Sequence, residues 1–387
     1  MKAEKVVWLP ERTQRIRLMK KIAFLAAHPA HLWVLRPVAE YIREFAEVVW
    51  VVRDKDCVVS LADEIGLEYY PLTKAATGFL GNGMELARAT LSAIRLTHQL
   101  KIDVWVSKYG AGNIAARLCR RRAVAYNDDD ADVVPLVARA SYTPSIIALA
   151  TDVTRMGHYE RKTVRFPGYF ELCYLHPNRF TPDRSVYADL GIKEGAPYAI
   201  LRLSSLEAHH DVGIRGIEDS FIRRIITMAG DEIRIFINSE KPIPREFQRY
   251  QCPIPVHRIH HALAFAEFLV GDGQTMASEA AVLGTPAFRL NDFVGRLSYL
   301  EDLEKYGLAF GFLPGQEDAL LEKLQQVIDN KNRRAEFEKR RQTMLEDKID
   351  PVPVFGETLR MVANGRSRKE IMNSPYFRRT NQNNVGP

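Results

Sequence analysis

The stretch that decides the fold is "GDGQTMASEAAVLGTPAF", residues 271–288. An apolar run comes directly before it and predicts a buried strand over residues 267–270 that leads into the glycines. Residues 276–283 are rich in good helix formers, and Gly284 begins a Gly-Thr-Pro stop. A strand, a glycine turn and a helix N-terminus leave free backbone N–H groups at the positive end of a helix dipole. The stretch therefore predicts either an anion site suited to phosphate or an ordinary turn in which the glycines permit a sharp bend.

Length and composition indicate a globular protein of two domains. The chain has 387 residues, of which 46% are hydrophobic and 26% charged, as is usual for a folded protein in water. No apolar run approaches the roughly 18 residues of a membrane span, and the N-terminus lacks the apolar segment of a secretory signal. The four cysteines form no C-x-x-C pair and are expected to be reduced and buried: Cys57, Cys119, Cys173 and Cys252. We therefore expect a cytoplasmic protein.

The positive charge is concentrated at the two ends of the chain. Of the net charge of +6, residues 1–21 carry +5 and residues 366–387 carry +4, so the remainder is slightly acidic at −3. A basic groove across the folded body is not expected, and we predict no nucleic-acid partner. Basic tails favour solubility or contact with an anionic membrane, so a peripheral position at the inner face of the membrane stays open.

Strand and helix patterns alternate twice along the chain. The first series begins near residue 20 and the second near residue 196, and residues 161–182, rich in proline and aromatic residues, are interpreted as the connector. Strands that alternate with helices predict βαβ units and parallel sheets. The fold class is therefore α/β, with two Rossmann-like doubly wound domains facing a cleft. The predicted parts are an N-terminal extension (1–20), a first domain (21–170), a second domain (171–350) and a C-terminal helix with a basic tail (351–387).

Two finer predictions concern the second half of the chain. Residues 255–292 are predicted to form a strand, a helix, a strand, a helix and a strand in turn. A helical stretch over residues 316–345 is predicted to lead into a frayed tail.

Five short motifs, spread over about residues 20–310, carry a resemblance to a known superfamily. They are "AAHPAHLWVLRPVAEYI", "VWVSKYGAGNIAARL", "AYNDDDADVV", "FPGYFELCYLHP" and "GDGQTMASEAAVLGTPAF". With them the chain resembles the GT-B glycosyltransferases and the structurally related UDP-N-acetylglucosamine 2-epimerases, and most closely the family called domain of unknown function 354. The resemblance implies that the first domain faces an acceptor and that the second holds a nucleotide-sugar donor.

The resemblance also implies which residues of the second domain bind the donor. Small residues after the strand meet the diphosphate and a glutamate one turn later takes the ribose hydroxyls; here these are Gly273, Gln274, Thr275 and Glu279. Glu279 lies four residues past Thr275 on the same helix face, and a carboxylate can accept from both hydroxyls. A solvated helix charge is the alternative for Glu279.

Two polar segments complete the predicted donor side. In "RLSSLEAHHD", Arg202 is expected to clamp a diphosphate, and Ser204 and Ser205 to add hydroxyl donors. The adjacent histidines of this segment are a poor chelating pair, and "HRIHHAL" (257–263) has no acidic third ligand. Both segments are interpreted as loops near the nucleotide base rather than zinc sites.

"HPAHLW" follows the first strand and lies on the acceptor side with His28. His31 matches the histidine that ends the acceptor-facing loop of the related transferases, although Pro29 and Ala30 stand where they have glycines. A neutral imidazole can take a proton from an acceptor hydroxyl or donate a hydrogen bond to the sugar. A structural or helix-capping role is the alternative for His31.

"SKYGAGNIAA" contains a G-x-G-x-x-A pattern that starts at Gly110, with Asp128 about twenty residues on. This fits the dinucleotide fingerprint, but that pattern opens the first βαβ unit, whereas here it follows a later strand. We therefore place Lys108, Gly110 and Gly112 on the acceptor side and keep NAD binding as an alternative.

"NDDDAD" offers alternating aspartates after the fifth strand. The spacing lacks the glycine and the late glutamate of an EF-hand loop. We expect the aspartates to cap the next helix and to place Asp128 at the strand end as a base or hydroxyl ligand, with Asn127 beside it. A divalent cation bound by the aspartates is the alternative.

These residues predict a metal-independent glycosyltransferase without a cofactor, which moves a sugar from a nucleotide-diphosphate donor to a glycan or lipid-linked acceptor in surface polysaccharide biosynthesis. His31 or Asp128 is the base if the anomeric centre is inverted, and backbone amides with Arg202 stabilise the departing diphosphate. The alternatives are a nucleotide-sugar 2-epimerase and a nucleotide-sugar binding protein without catalysis.

Overall fold

Two parallel sheets organise the computed structural model, which describes residues 19–55, 57–76, 78–204 and 217–377. The described strands are β1 Lys20–Ala26, β2 Ala46–Asp54, β3 Tyr70–Lys74, β4 Val104–Ser107, β5 Arg122–Tyr126, β6 Ile147–Thr151, β7 Thr163–Phe166, β8 Tyr198–Leu203, β9 Arg234–Ser239, β10 Leu269–Gly271, β11 Ala287–Leu290 and β12 Ala309–Phe312. The described helices are α1 Pro29–Ile42, α2 Val58–Glu64, α3 Phe79–Leu100, α4 Ala111–Leu118, α5 Pro135–Tyr142, α6 Leu172–Leu175, α7 Val186–Asp189, α8 Asp219–Ala229, α9 Ile259–Phe265, α10 Gln274–Val282, α11 Ser298–Lys305, α12 Glu317–Asp329, α13 Arg333–Asp347, α14 Val352–Ala363 and α15 Arg368–Met372.

The first sheet has seven parallel strands in the order β3-β2-β1-β4-β5-β6-β7. Its central strands β4 and β6 are buried along their whole length, because helices cover both faces of a sheet built from βαβ units. The order runs outward from β1 in one direction and from β4 in the other. The crevice between β1 and β4 is therefore the point at which the winding reverses.

The second sheet has five parallel strands in the order β12-β11-β10-β8-β9. Its reversal lies between β8 and β10, which pair in register from Leu269 opposite Ile200 to Gly271 opposite Arg202. The prediction of an α/β protein with two Rossmann-like doubly wound units is confirmed. In such sheets ligands bind outside the carboxyl ends of the strands at the reversal, so the fold marks two crevices, one on each sheet.

The segment interpreted as a connector is only partly one. Residues 163–166 form β7, which pairs with β6 from Thr163 opposite Ala148 to Phe166 opposite Thr151, and a short helix, α6, follows at Leu172. The prediction missed β7 because an edge strand of four residues is too short to show a period against its aromatic neighbours.

Two other sequence expectations are wrong. Residues 256–258 form a 3₁₀ turn instead of a strand, since the prolines before it fix the backbone outside a sheet. The chain after residue 345 is not frayed: α14 buries Phe355 and Leu359 and packs on α1 and β5 of the first domain. Gly356 allows this packing, because a Cβ there would collide with the ring of Tyr41.

No helix among the described residues is long and apolar enough to cross a lipid bilayer. The basic residues 1–18 and 378–387, and with them most of the charged tails, lie outside the described part of the chain, as does Ser205.

Candidate functional site

The donor half of the site is the N-terminus of α10. Gly273 precedes the helix in an extended conformation, with φ −94° and ψ 149°, and no side chain caps it. The helix begins at Gln274, two residues before the sequence-based start. Within the described ranges, no group accepts a hydrogen bond from the backbone N–H of Gln274, Thr275 or Met276. Three donors and the positive end of the helix dipole therefore face the crevice between β8 and β10.

The glycines of this turn are needed for close approach. A Cβ on Gly271 would lie 2.9 Å from Cβ of Arg202, and a Cβ on Gly273 would lie 2.8 Å from Oγ of Ser204. The end of β8 is therefore held against the tip of α10. A hydrogen bond of 2.7 Å from the Ser204 N–H to Oδ1 of the buried Asp272 fixes this arrangement, which brings Ser204 to the predicted donor side.

Arg202 is already engaged within the protein. Its guanidinium donates to the amide oxygen of Asn238 and to the carboxylate of Glu240. Asn238 lies near the end of the neighbouring strand β9, and Glu240 directly follows that strand. A diphosphate clamp by Arg202 would have to compete with these partners, and that role stays a prediction.

Glu279 is buried, so the alternative of a solvated helix charge is wrong. It is 5% exposed, and its Oε1 accepts a hydrogen bond of 2.8 Å from the hydroxyl of Tyr174 and lies 3.0 Å from Nε2 of His260. The ring of Trp33, from the first domain, contacts both Tyr174 and His260. The ribose contact of Glu279 stays a prediction. Because Tyr174 and His260 already occupy Oε1, the ribose hydroxyls would have to bind mainly to Oε2.

The histidines of "HRIHHAL" point to three different partners. Nδ1 of His257 lies 2.8 Å from a carboxylate oxygen of Glu64 in the first domain, His260 faces Glu279, and Nδ1 of His261 accepts from the Asp183 N–H at 3.0 Å. The segment is mainly the helix α9 rather than a loop. Among the described residues, no group of three or more His, Cys, Asp and Glu side chains is arranged to hold a metal ion.

On the acceptor half, the two histidines after β1 have separate roles. His28 caps α1, with its Nδ1 accepting from the Ala30 N–H at 3.2 Å. Nδ1 of His31 accepts from the Ala27 N–H at 3.2 Å, so the capping alternative belongs to His28. Burial, and then the positive charges of His28 and Lys108, lower the pKa of His31 well below its usual range. Neutral His31 therefore carries its proton on Nε2, which suits a hydrogen-bond donor better than a base.

Lys108 and the aspartate run meet at the carboxyl ends of β4 and β5. Lys108 Nζ lies 2.5 Å from Asp128 and 3.0 Å from Asp129. The Asn127 side chain accepts from the Asp129 N–H at 3.1 Å, while its buried Nδ2 has no partner among the described residues. The structure therefore brings Lys108, Asn127 and Asp128 together, and their roles in binding or catalysis stay predictions.

The aspartate run does not cap the next helix as expected. Helix α5 begins at Pro135 without a side-chain cap. Asp130 instead reaches the second domain, where it accepts hydrogen bonds of 2.8 Å from the Ser298 N–H and 2.7 Å from its hydroxyl. Within the run, Asp128 and Asp129 therefore bind Lys108 of the first domain, whereas Asp130 binds the start of α11 in the second.

Gly110 and Gly112 allow close packing around the start of α4. Gly110 has φ +97°, and a Cβ there would lie 2.9 Å from Cβ of Ala140 in α5. A Cβ on Gly112 would lie 2.5 Å from Cε3 of the buried Trp105 in β4. Both glycines are buried, and their place on the acceptor side stays a prediction.

The sequence analysis gave no role to Glu171, which lies between the two halves. Its Oε1 is within hydrogen-bond distance of Ser278 Oγ in α10, and its buried Oε2 has no partner among the described residues. Burial, followed by the negative charge of Asp128, raises the pKa of Glu171 to about 8. A glutamate within an aromatic segment carries no pattern of its own, so only the fold could bring it to the site.

Comparison with known proteins places the fold. No family model and no curated protein matches the chain, so the resemblance to the domain of unknown function 354 stays a prediction. Solved structures do match over most of the chain. The S. aureus MnaA–UDP co-structure is 12% identical, with a TM-score of 0.64, and the match covers 88% of this chain and 95% of that one.

Two further solved structures with the same fold are enzymes of different kinds, an epimerase and a glycosyltransferase. The UDP-GlcNAc 2-epimerase from Neisseria meningitidis bound to UDP-GlcNAc is 11% identical with a TM-score of 0.60, covering 88% of this chain and 99% of that one. The spinosyn forosaminyltransferase SpnP is 14% identical with a TM-score of 0.59, covering 89% and 100%. At such identities the likeness is one of fold. This chain has the two-domain, Rossmann-like GT-B fold that glycosyltransferases and UDP-N-acetylglucosamine 2-epimerases share.

Proposed function

We propose that the protein is an enzyme that acts on a nucleotide-diphosphate sugar, and specifically a glycosyltransferase. The observation that carries the proposal is the tip of α10, where three backbone N–H groups at a strand reversal have no acceptor in the described chain. Such a tip favours a diphosphate. Structures of the same fold hold UDP or UDP-GlcNAc, and another is a forosaminyltransferase.

In the proposed reaction the bond between the sugar and the diphosphate breaks, and its electron pair goes to the phosphate oxygen. The amides of Gln274 and Thr275 and the hydroxyl of Ser204 are placed to stabilise this growing charge without a metal ion. An acceptor hydroxyl then attacks the sugar carbon. Asp128 is the proposed base, and His31, with Nε2–H available, is the proposed donor to the sugar or acceptor.

A 2-epimerase is the second candidate, because two carboxyl groups in different surroundings influence each other: the negative charge of Asp128 raises the pKa of Glu171. Asp128 is paired with Lys108 at 2.5 Å, whereas Glu171 is buried and forms no ion pair with any described residue. Two carboxyl groups in unlike surroundings are the arrangement that acid–base chemistry on a sugar ring needs.

Incubation with a panel of nucleotide sugars, followed by NMR, distinguishes the candidates. Release of the nucleotide only when a glycan or lipid-linked acceptor is added supports transfer. Inversion at C2 of the sugar without an acceptor supports epimerisation. Tight binding without turnover supports a binding protein, and absence of binding to every UDP, GDP and dTDP sugar in the panel contradicts the proposal.

The nature of the acceptor is the finer part of the proposal. We place it on surface polysaccharide or lipid-linked glycans, because basic terminal segments suit an enzyme that works beside an anionic membrane. Co-sedimentation with anionic vesicles, compared with neutral ones, tests this part independently of the reaction.

A further inference from the structure

Glu171 is a buried carboxyl at the junction of the two domains. It directly precedes α6 and is 4% exposed, and its neighbour Ser278 in the second turn of α10 is fully buried. The Oε1 atom of Glu171 faces Ser278 Oγ, while Oε2 is buried and unpartnered within the described ranges. None of the steps of the proposed sugar transfer uses this carboxyl, although it lies one turn from the proposed diphosphate site.

The hydrogen bonds of Ser278 indicate where the proton of Glu171 lies. Ser278 Oγ is within hydrogen-bond distance of two oxygens, Oε1 of Glu171 and the carbonyl oxygen of Thr275 at 2.8 Å. A carbonyl can only accept, and a hydroxyl has one hydrogen to donate. Serines within helices commonly donate to a carbonyl of the preceding turn. The hydrogen between Glu171 and Ser278 then comes from the carboxyl, so Glu171 is a neutral acid that donates to Ser278.

The groups around Glu171 favour the same protonation state. Negative or neutral groups face it from the first domain, from α10, from α11 and from its own segment. These are Asp128, Glu279, Tyr299, Cys173 and Tyr174. The ammonium of Lys108, next to Asp128, is bound by Asp128 and Asp129. Ionised Glu171 would therefore be a buried charge among other carboxylates, which is strongly unfavourable.

We propose that Glu171 is a positioning residue of the diphosphate site: as a neutral acid it holds Ser278 and keeps negative charge away from the N-terminus of α10. The inference rests on the proposed function, since it concerns the same anion site. A carboxylate formed one helical turn from the helix tip would repel a diphosphate and remove the hydrogen bond to Ser278. Binding of the anion is then coupled to the proton of Glu171.

Titration calorimetry with UDP between pH 7 and pH 8.5 tests this coupling. In this range the charge of UDP is nearly constant, because the second ionisation of a phosphate lies at about pH 6 and the uracil ring loses its N3 proton only at higher pH. For the unmodified protein, Kd is expected to rise about threefold over this range, since a linked proton changes affinity by up to about tenfold per pH unit above the pKa. Glu171→Gln keeps a neutral donor for Ser278, so its Kd should equal that of the unmodified protein at pH 7 and change less than about 1.5-fold up to pH 8.5.

Glu304→Gln is the matched control. Burial also raises the pKa of Glu304, but its partner is Arg289, so this variant should keep the alkaline loss of affinity. Thermal unfolding of each protein at both pH values excludes loss of folding as the cause.

Three results would overturn the inference. If UDP binds with the same Kd at pH 7 and pH 8.5, Glu171 has no role in binding although the proposed function stands. If Glu171→Gln keeps the alkaline loss, the proton belongs to another group, such as the buried Asp272, whose pKa is also raised by burial. If neither UDP nor any nucleotide sugar binds at any pH, the proposed function fails and this inference fails with it.

Discussion

At the scale of single residues, the tip of α10 allows the charge of the site to be changed without disturbing the helix. Gln274→Glu keeps the size of the side chain and adds a negative charge in the first helical turn, where it stabilises a helix by about 0.3–1 kcal/mol. The same charge repels a bound diphosphate. We expect the melting temperature to stay level or rise while the affinity for UDP falls at least about tenfold, measured by calorimetry.

Gln326→Glu is the control for this change. Gln326 lies on helix α12 of the same domain beside Lys323, remote from the tip, so UDP affinity should not change. Equal affinity of the Gln274→Glu variant and the unmodified protein would show that the diphosphate does not bind at this helix.

Glu171 also gives the folding stability a pH dependence of defined sign. Its pKa is about 8 in the folded protein and about 4.3 in an unfolded chain. Between these two pH values the folded state therefore holds a proton that the unfolded state has released. Stability therefore falls as pH rises from about 5 to about 8. In Glu171→Gln we expect this decline to be smaller by about 1 kcal/mol or more, measured by urea unfolding at both pH values. An unchanged decline would contradict the assignment.

At the scale of secondary-structure elements, replacing two helical glycines by alanine is expected to change the folding stability in opposite directions. Gly112 of α4 lies against Trp105, so Gly112→Ala should destabilise the protein by about 1–3 kcal/mol through overpacking. Gly83 of α3 is exposed and has no atom within 4 Å of an added Cβ. Gly83→Ala should stabilise by about 0.5–1 kcal/mol, because alanine is the better helix former. Urea unfolding measures both; a neutral Gly112→Ala would show that α4 can move away from β4.

The elements that the sequence predicted best are those with an internal pattern. Helix α10 was predicted over residues 276–283 and differs by two residues at its start. Strand β7 was missed, and the bounds of the C-terminal helix α14 were not predicted. Both are short or unexceptional in sequence, and they are stabilised by partners distant in the chain, β6 for one and α1 with β5 for the other. A local pattern contains no information about such partners.

At the scale of the whole molecule, one buried lysine links three parts of the chain. Lys348, after α13, lies 2.8 Å from Asp302 in α11 and 3.2 Å from Asp152 after β6. Tyr169 of the connector donates to the same Asp302 at 2.7 Å. Lys348→Met would leave Asp302 buried with a weakened set of partners, so we expect a loss of about 3–5 kcal/mol in unfolding free energy.

A second lysine on the same aspartate provides the control. Lys305 lies 3.6 Å from Asp302, but its side chain is 73% exposed, so Lys305→Met should change stability by less than about 0.5 kcal/mol. Chemical unfolding of both variants measures the difference. Similar losses in the two would contradict a special role for the buried junction.

The sequence by itself determined the fold class, the glycine turn before α10, and the positions of Lys108 and Asp128 at strand ends of the first sheet. These follow from periodicity, from glycine and proline positions, and from the rule that strand ends of a parallel sheet share an edge. Only the tertiary structure decided that Glu279 is buried beside Tyr174, that Gly112 faces Trp105, and that Glu171 meets Ser278. Residues 171 and 278 are far apart in the chain, and their contact exists because the segment that contains α6 packs against α10, which no local pattern of residues records.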